Sequence, residues 1–229
     1  MMSTEKKEGF PADISKEIMG FFENEKRDKV KRLENLNKYI KKNQILFTGS
    51  SLMEHFPIEE FRMSMDLEPR IYNRGIGGFT TEEFLENIDT MLLSPEPSKV
   101  FINIGTNDIS ERFNQEGKWL ERLISNYEQI LKRLQEKLPE CEVYMMAYYP
   151  ANETMTAALP WTKFRTNERI IAANNAVKDL AAKLGYHFIN VNEGLADTDG
   201  NLKREITTDG IHMIPDAYTQ ILHNMMPYL

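Results

Sequence analysis

Cysteine is nearly absent from this sequence: Cys141 stands alone among 229 residues. An intrachain disulfide scaffold and a cysteine-built zinc site are therefore excluded. No apolar run approaches the roughly 18 residues of a membrane-spanning helix, so no integral membrane association is expected. Positive charge is in deficit, with 28 Lys and Arg against 35 Asp and Glu and a net charge of −7. Phosphate backbones demand positive charge, so a general nucleic-acid binder is disfavoured. Gly/Ser linkers, internal repeats and low-complexity tracts are missing too, which points to one folded body rather than an array. The N-terminal stretch is polar and charged, unlike a signal peptide. With the lone cysteine, that makes a cytoplasmic setting the simplest expectation.

What is present suits a folded globule. Hydrophobic residues make up 41% of the chain and aromatic residues 10%, enough for a core of ordinary size. Residues 1–44 form a helical extension by pattern. Ile14, Ile18, Phe21 and Phe22 follow helical spacing, with Asp13 as a candidate N-cap, and Val30, Leu33, Leu36 and Ile40 continue it. Between Lys26 and Lys42 lie eight basic residues and two acidic ones, a local +6 that leaves −13 elsewhere. A solvated face that offsets an acidic body is the plain reading. A basic amphipathic helix for a membrane surface or partner is the sharper alternative. The apolar positions could equally pack on the body or build a homodimer interface.

From residue 45 to 229 the pattern alternates between short strands and long helices. Strands are expected at 45–48, 70–73, 100–104, 143–147 and 187–191. Helices are expected at about 80–93, 118–138, 164–184 and from 215. Within 118–138, Leu120, Leu123, Ile124, Tyr127, Leu131, Leu134 and Leu138 share one face. Such alternation predicts right-handed βαβ units and a parallel sheet covered on both sides, an α/β fold.

In open α/β sheets, ligands bind beyond the carboxyl ends of the strands. Four short polar or glycine-rich stretches fall there: Gly49-Ser50-Ser51-Leu52, Gly75-Ile76-Gly77-Gly78, Gly105-Thr106-Asn107-Asp108 and Thr208-Asp209-Gly210-Ile211-His212. Ser51 occupies a strand-to-helix junction and needs a base to become a nucleophile. Of the four histidines, His187 lies in an expected strand, His223 in the last helix, and His55 one turn past Ser51, where it can simply face solvent. His212 is in a loop at the correct edge. Asp209, three residues before it, can fix its tautomer and stabilise the imidazolium. The Ser51 and Gly78 amides and the Asn107 carboxamide can serve as oxyanion donors. Each feature alone is commonly a turn or a cap. Their succession after separate strands favours chemistry.

With these four blocks in order, the chain resembles the SGNH/GDSL hydrolases, in particular the platelet-activating-factor acetylhydrolase-like branch. The resemblance runs from about residue 45 to the C-terminus. It implies a three-layer α/β/α flavodoxin-like fold with a central five-stranded parallel sheet. It also implies Ser51 as nucleophile, His212 as base, Asp209 as its partner, and Ser51, Gly78 and Asn107 as the oxyanion hole. No metal and no organic cofactor are implied. Two departures stand out. Ser50 replaces the family's usual aspartate, leaving two adjacent serines, and Phe79 follows the oxyanion glycine where this branch usually has aspartate. Met53 stands where the second glycine of a G-x-S-x-G elbow would be, against an ordinary α/β-hydrolase.

Phe79, Asp108 and Trp161 are the candidate substrate-contacting residues. Phe79 could wall an acyl pocket or cover the core, and Trp161 could border the alcohol side or pack at a helix start. The chain lacks a lid-like apolar insertion, so the expected substrate is a short-chain ester, acetyl above all, of a small polar alcohol or sugar. Rival readings are a lysophospholipase or thioesterase on the same site, and a non-catalytic binding protein with a vestigial site.

Overall fold

The computed structural model describes residues 12–109, 117–157, 162 and 164–229. Trp161 lies outside them. Five parallel strands form one sheet: β1 (Ile45–Gly49), β2 (Ile71–Gly75), β3 (Lys99–Asn103), β4 (Glu142–Met146) and β5 (His187–Ile189). Their order is β2-β1-β3-β4-β5, so the chain reverses direction across the sheet between β1 and β3. The observed strands sit within a residue or two of the expected ones, with β5 shorter than its apolar run.

Side-chain alternation along the strands builds two cores. On β1, β3 and β4, Leu46, Val100, Ile102, Val143 and Met145 face one layer. Phe47, Phe101, Tyr144 and Met146 face the other. Both sets are largely buried, as expected for a parallel sheet covered on both sides. The first layer is closed by α4 (Thr81–Glu86), α5 (Trp119–Lys137) and α7 (Asn167–Leu184), through residues such as Phe84, Leu123, Tyr127, Leu131 and Val177. The second is closed by α2 (Ser51–Glu54), α3 (Ile58–Ser64) and α8 (Pro215–Met225), through Leu52, Ile58, Tyr218 and Leu222. A four-residue helix, α6 (Glu153–Thr156), lies in the long β4–α7 connection.

Local chemistry explains where the helices start and stop. Thr80 and Glu83 form a reciprocal capping box that opens α4. Thr166 caps α7, and Gly185 closes it in the left-handed conformation. Pro215 occupies the first turn of α8.

Two expectations need correction. The helix expected over 80–93 ends at Glu86, and Asp89–Leu93 forms a wider π-type turn in which the Ser94 N–H reaches the Asp89 carbonyl at 2.7 Å. Two carbonyls of that turn are taken by outside donors. Asn37 Nδ2 donates to the Thr90 carbonyl and Thr48 Oγ1 to the Met91 carbonyl, both at 2.9 Å. Side chains inserted into a helical ladder displace it in this way. The two apolar series at the N-terminus, in turn, fall on a single helix, α1 (Ala12–Asn37), which begins one residue before the expected cap at Asp13 and ends before Ile40, the last residue of the second series. Its second half packs Val30 and Leu33 against the first core. Ile14, Ile18, Met19, Phe21 and Phe22 of its first half are exposed. Its end is stapled to β2, where the buried Arg74 donates from Nε to Asn37 Oδ1 at 2.7 Å.

Candidate active site

Strand β1 ends at Gly49, where a Cβ would stand 2.0 Å from the Asn103 carbonyl oxygen of the neighbouring strand. Only glycine allows that approach, and the chain then turns directly into α2. Ser51 is the first residue of α2 and is 8% exposed. Its hydroxyl lies 3.0 Å from His212 Nε2. The other ring nitrogen, Nδ1, lies 2.6 Å from Asp209 Oδ2. Ser50, the adjacent serine, has its hydroxyl buried without a partner among the described residues. The geometry therefore separates the two serines: the hydroxyl at the imidazole is that of Ser51.

The Asp209–His212 turn is organised by its own backbone. Asp209 Oδ1 accepts the N–H groups of Ile211 and His212, at 2.9 and 2.8 Å. The His212 carbonyl accepts from Thr207 Oγ1 at 2.8 Å and from the Thr208 N–H at 3.0 Å. Burial pushes the Asp209 carboxyl upward. The bonds from the His212 ring and from the two N–H groups outweigh it and hold the carboxyl well below the ordinary carboxylate range. Asp209 is therefore a fixed anion behind the imidazole at neutral pH, and because a carboxylate only accepts, Nδ1 donates the hydrogen bond between them.

The loop after β2 comes close to Ser51: a Cβ on Gly77 would stand 3.6 Å from the Ser51 Cβ. Gly78 has a φ of +76°, in the left-handed region, and is exposed. Among the described residues, the Ser51 and Gly78 N–H groups donate to no protein acceptor. Asn107 follows β3. Its Nδ2 donates to the Phe79 carbonyl at 2.9 Å, and its Oδ1 accepts from Arg165 Nη2 at 2.7 Å. One Nδ2 hydrogen thus remains for another acceptor.

Two of the other candidates are engaged elsewhere. Phe79 is buried beside Ile76 and Phe84 in the first core. Asp108 is buried and fastens the start of α4, accepting from the Thr81 N–H at 3.0 Å and from the Thr81 hydroxyl. Burial raises its carboxyl to about 6, against the lowering effect of those bonds.

Five neighbours of the site, His55, Glu54, Lys29, Lys26 and Arg165, were given no role there by the sequence reading, which left His55 free to face solvent. His55 faces His212 with ring centroids 5.3 Å apart. Burial, and then the charge of His212, lowers its basicity. The signal was available, since His55 stands four residues after Ser51 and i,i+4 residues share a helix face. Glu54 and the α1 lysines carried no such signal. Glu54 Oε2 accepts the Gly77 N–H at 2.7 Å, and Lys29 pairs with Glu54 Oε1 at 2.9 Å. Lys26 pairs with Glu83 at 2.6 Å. Part of the basic stretch therefore braces the Gly77–Thr80 loop, where the plain reading had a solvated face. Arg165 was also missed, because nothing in its sequence neighbourhood marks it.

Among the described residues, no helix is long and apolar enough to cross a membrane, and no group of three or more His, Cys, Asp or Glu could hold a metal ion.

The model of the GDSL-like Lipase/Acylhydrolase family matches residues 60–220. An N-acylneuraminate cytidylyltransferase of Escherichia coli O18:K1:H7 is 26% identical over 199 residues, covering 83% of this chain but 41% of that protein. The chain thus spans less than half the length of that relative. The platelet-activating factor acetylhydrolase IB subunit alpha1 of Bos taurus is 23% identical over 190 residues, covering 81% of this chain and 76% of the relative. Among solved structures, a Streptococcus pneumonia protein described as a platelet activating factor superposes with a TM-score of 0.85 at 28% identity. That match covers 96% of this chain and 99% of the other.

Proposed function

This chain belongs to the GDSL-like lipase/acylhydrolase family, and from that premise we propose that it is a carboxylic ester hydrolase working through Ser51, His212 and Asp209. The observation that carries the reading is the continuous hydrogen-bonded line from Ser51 Oγ through both ring nitrogens of His212 to Asp209, at 3.0 and 2.6 Å.

The reaction proceeds in two steps. His212 Nε2 takes the Ser51 proton as Oγ attacks the ester carbonyl carbon, and the carbonyl oxygen becomes an oxyanion. The Ser51 and Gly78 N–H groups and Asn107 Nδ2 receive that charge. The tetrahedral intermediate collapses, and the C–O bond to the alcohol breaks as the imidazolium protonates the leaving oxygen. Water then attacks the acyl-serine with its proton passing to Nε2. Collapse of the second intermediate returns that proton to Ser51 and releases the acid. Asp209 stays ionised throughout and stabilises the imidazolium in both steps.

The favoured substrate is a short-chain ester, acetyl above all, on a small polar alcohol such as a sugar. The acetylhydrolase relative supports the acyl part and the acylneuraminate named in the cytidylyltransferase relative supports the alcohol part. The burial of Phe79 in the core also removes one aromatic from a long acyl tunnel. The setting we favour is cytoplasmic. The one cysteine is buried, and burial pushes its thiol up to about 12, which leaves it inert rather than poised for disulfide chemistry.

The test is labelling with a fluorophosphonate, read by intact mass and peptide mapping, beside a panel of 4-nitrophenyl esters of increasing acyl length. A single adduct on Ser51, absent from His212→Ala, together with fastest turnover of the acetyl ester is the expected result. A folded protein that takes no adduct and turns over no ester contradicts the reading. A peak at long acyl chains would move it to a lysophospholipase-type activity.

A further inference from the structure

Arg165 lies in the segment leading into α7, and its side chain is 7% exposed. A buried guanidinium ordinarily sits against a carboxylate, because an unpaired buried charge is costly. Among the described residues no carboxylate stands within ion-pair distance of it. Burial lowers its basicity, to about 10, and Asp209 and Asp108 partly restore it from farther away. Arg165 therefore remains a cation at neutral pH. Its Nη2 donates to the neutral Asn107 Oδ1 at 2.7 Å, while its Nε has no partner among the described residues.

That contact has two consequences for the Asn107 carboxamide. The first is orientation. A carboxamide can present oxygen or NH₂ to the same place by turning over. Arginine has only donors, so it selects the oxygen. The Phe79 carbonyl only accepts, so it selects the NH₂, at 2.9 Å. The two partners impose the same orientation from opposite ends. The second consequence is strength. A cation on the carboxamide oxygen polarises the group, and a polarised N–H is a better donor to a developing negative charge.

We infer that Arg165 is a positioning residue for ester hydrolysis, holding and polarising the Asn107 carboxamide through Oδ1 so that Nδ2 stays aimed at the oxyanion. This rests on the Ser51 esterase reading above. Its direct contact is the Asn107 carboxamide, so its effect should fall on kcat more than on KM.

The experiment is a double-mutant cycle on 4-nitrophenyl acetate: wild type, Arg165→Met, Asn107→Ala and the pair, with Arg165→Lys as the conservative variant. Arg165→Met should lower kcat about 10- to 100-fold with KM changed less than about threefold, a fraction of the loss for an oxyanion donor. In the Asn107→Ala background the same change should cost less than about twofold, because the residue it acts through is gone. Arg165→Lys should restore most of kcat. If Arg165→Met does not fold, Arg165→Gln carries the cycle, since its own carboxamide can turn over and has no charge. Equal losses in both backgrounds, or an unchanged kcat in the Met or Gln variant, overturn the inference while leaving the esterase reading intact. A wild type that neither hydrolyses the ester nor takes a fluorophosphonate on Ser51 overturns both.

Discussion

Glu54 Oε2 accepts the N–H of Gly77 at 2.7 Å across 23 positions of sequence. Glu54 ends the short helix that Ser51 begins, and Gly77 precedes Gly78, whose N–H donates to no protein acceptor among the described residues. One carboxylate therefore ties the helix of Ser51 to the loop after β2. Lys29 of α1 holds that carboxylate in turn, which links a helix otherwise remote from the chemistry to the spacing of the catalytic groups. The Lys29 ammonium is pulled down by burial, and its bonds to Glu54 and Glu25 more than reverse that, so it remains charged.

Replacing Glu54 by Ala should loosen this tie. A hydrogen bond from an N–H to a charged acceptor contributes about 1.5–3 kcal/mol, and the half-buried position favours the lower end. The melting temperature should fall, and kcat should fall by more than KM rises. Thermal melts and steady-state kinetics read both effects. An unchanged kcat in a destabilised variant would show the tie to be structural only.

The catalytic line should behave as a unit. Ser51→Ala and His212→Ala should each remove nearly all turnover, on the order of 10⁶-fold. Asp209→Asn preserves the shape but not the charge behind the imidazole, and should cost about 10⁴-fold. Combining Ser51→Ala with His212→Ala should lose no more than either alone. Single-turnover assays on an activated ester check the set.

Gly78 and Asn107 should respond in a different way. Asn107→Ala removes one donor and should lower kcat about 10²- to 10³-fold. Gly78→Ala forces a side chain into the left-handed region, at about 1–2 kcal/mol, and sets a Cβ 3.0 Å from Lys26 Cε. Its melting temperature should drop together with kcat, and Asn107→Ala should also lower the melting temperature, because it takes from the buried Arg165 guanidinium the acceptor of its Nη2.

Asp108 should make stability depend on pH. A carboxyl raised to about 6 by burial favours the folded state while protonated. That contribution is complete below the ordinary value near 3.9 and is lost as pH rises through about 6. Asp108→Asn does not titrate. The melting temperature of the variant minus that of wild type should therefore increase between about pH 5 and pH 7.5. A difference that stays flat across that window would contradict the raised carboxyl.

The sequence by itself determined the local parts of this protein. Alternation at Leu46-Phe47 and Val100-Phe101-Ile102 marked strands buried on both faces, and the Leu123–Leu134 series marked the buried face of α5, because periodicity follows from backbone geometry alone. The Asp209–His212 pair was also legible, since three residues in one turn suffice to bring a carboxylate to an imidazole. Tertiary structure decided what lay far apart along the chain. Ser51 meets His212 across 161 positions, Arg165 meets Asn107 across 58, and Lys26 meets Glu83 across 57. It also decided which of the two serines faces the imidazole, the unwinding at Asp89–Leu93, and which lysines of α1 turn inward. A pattern of apolar spacing states which face of an element is buried but not which element covers it. The partners of a polar side chain at long range follow only from how the layers pack.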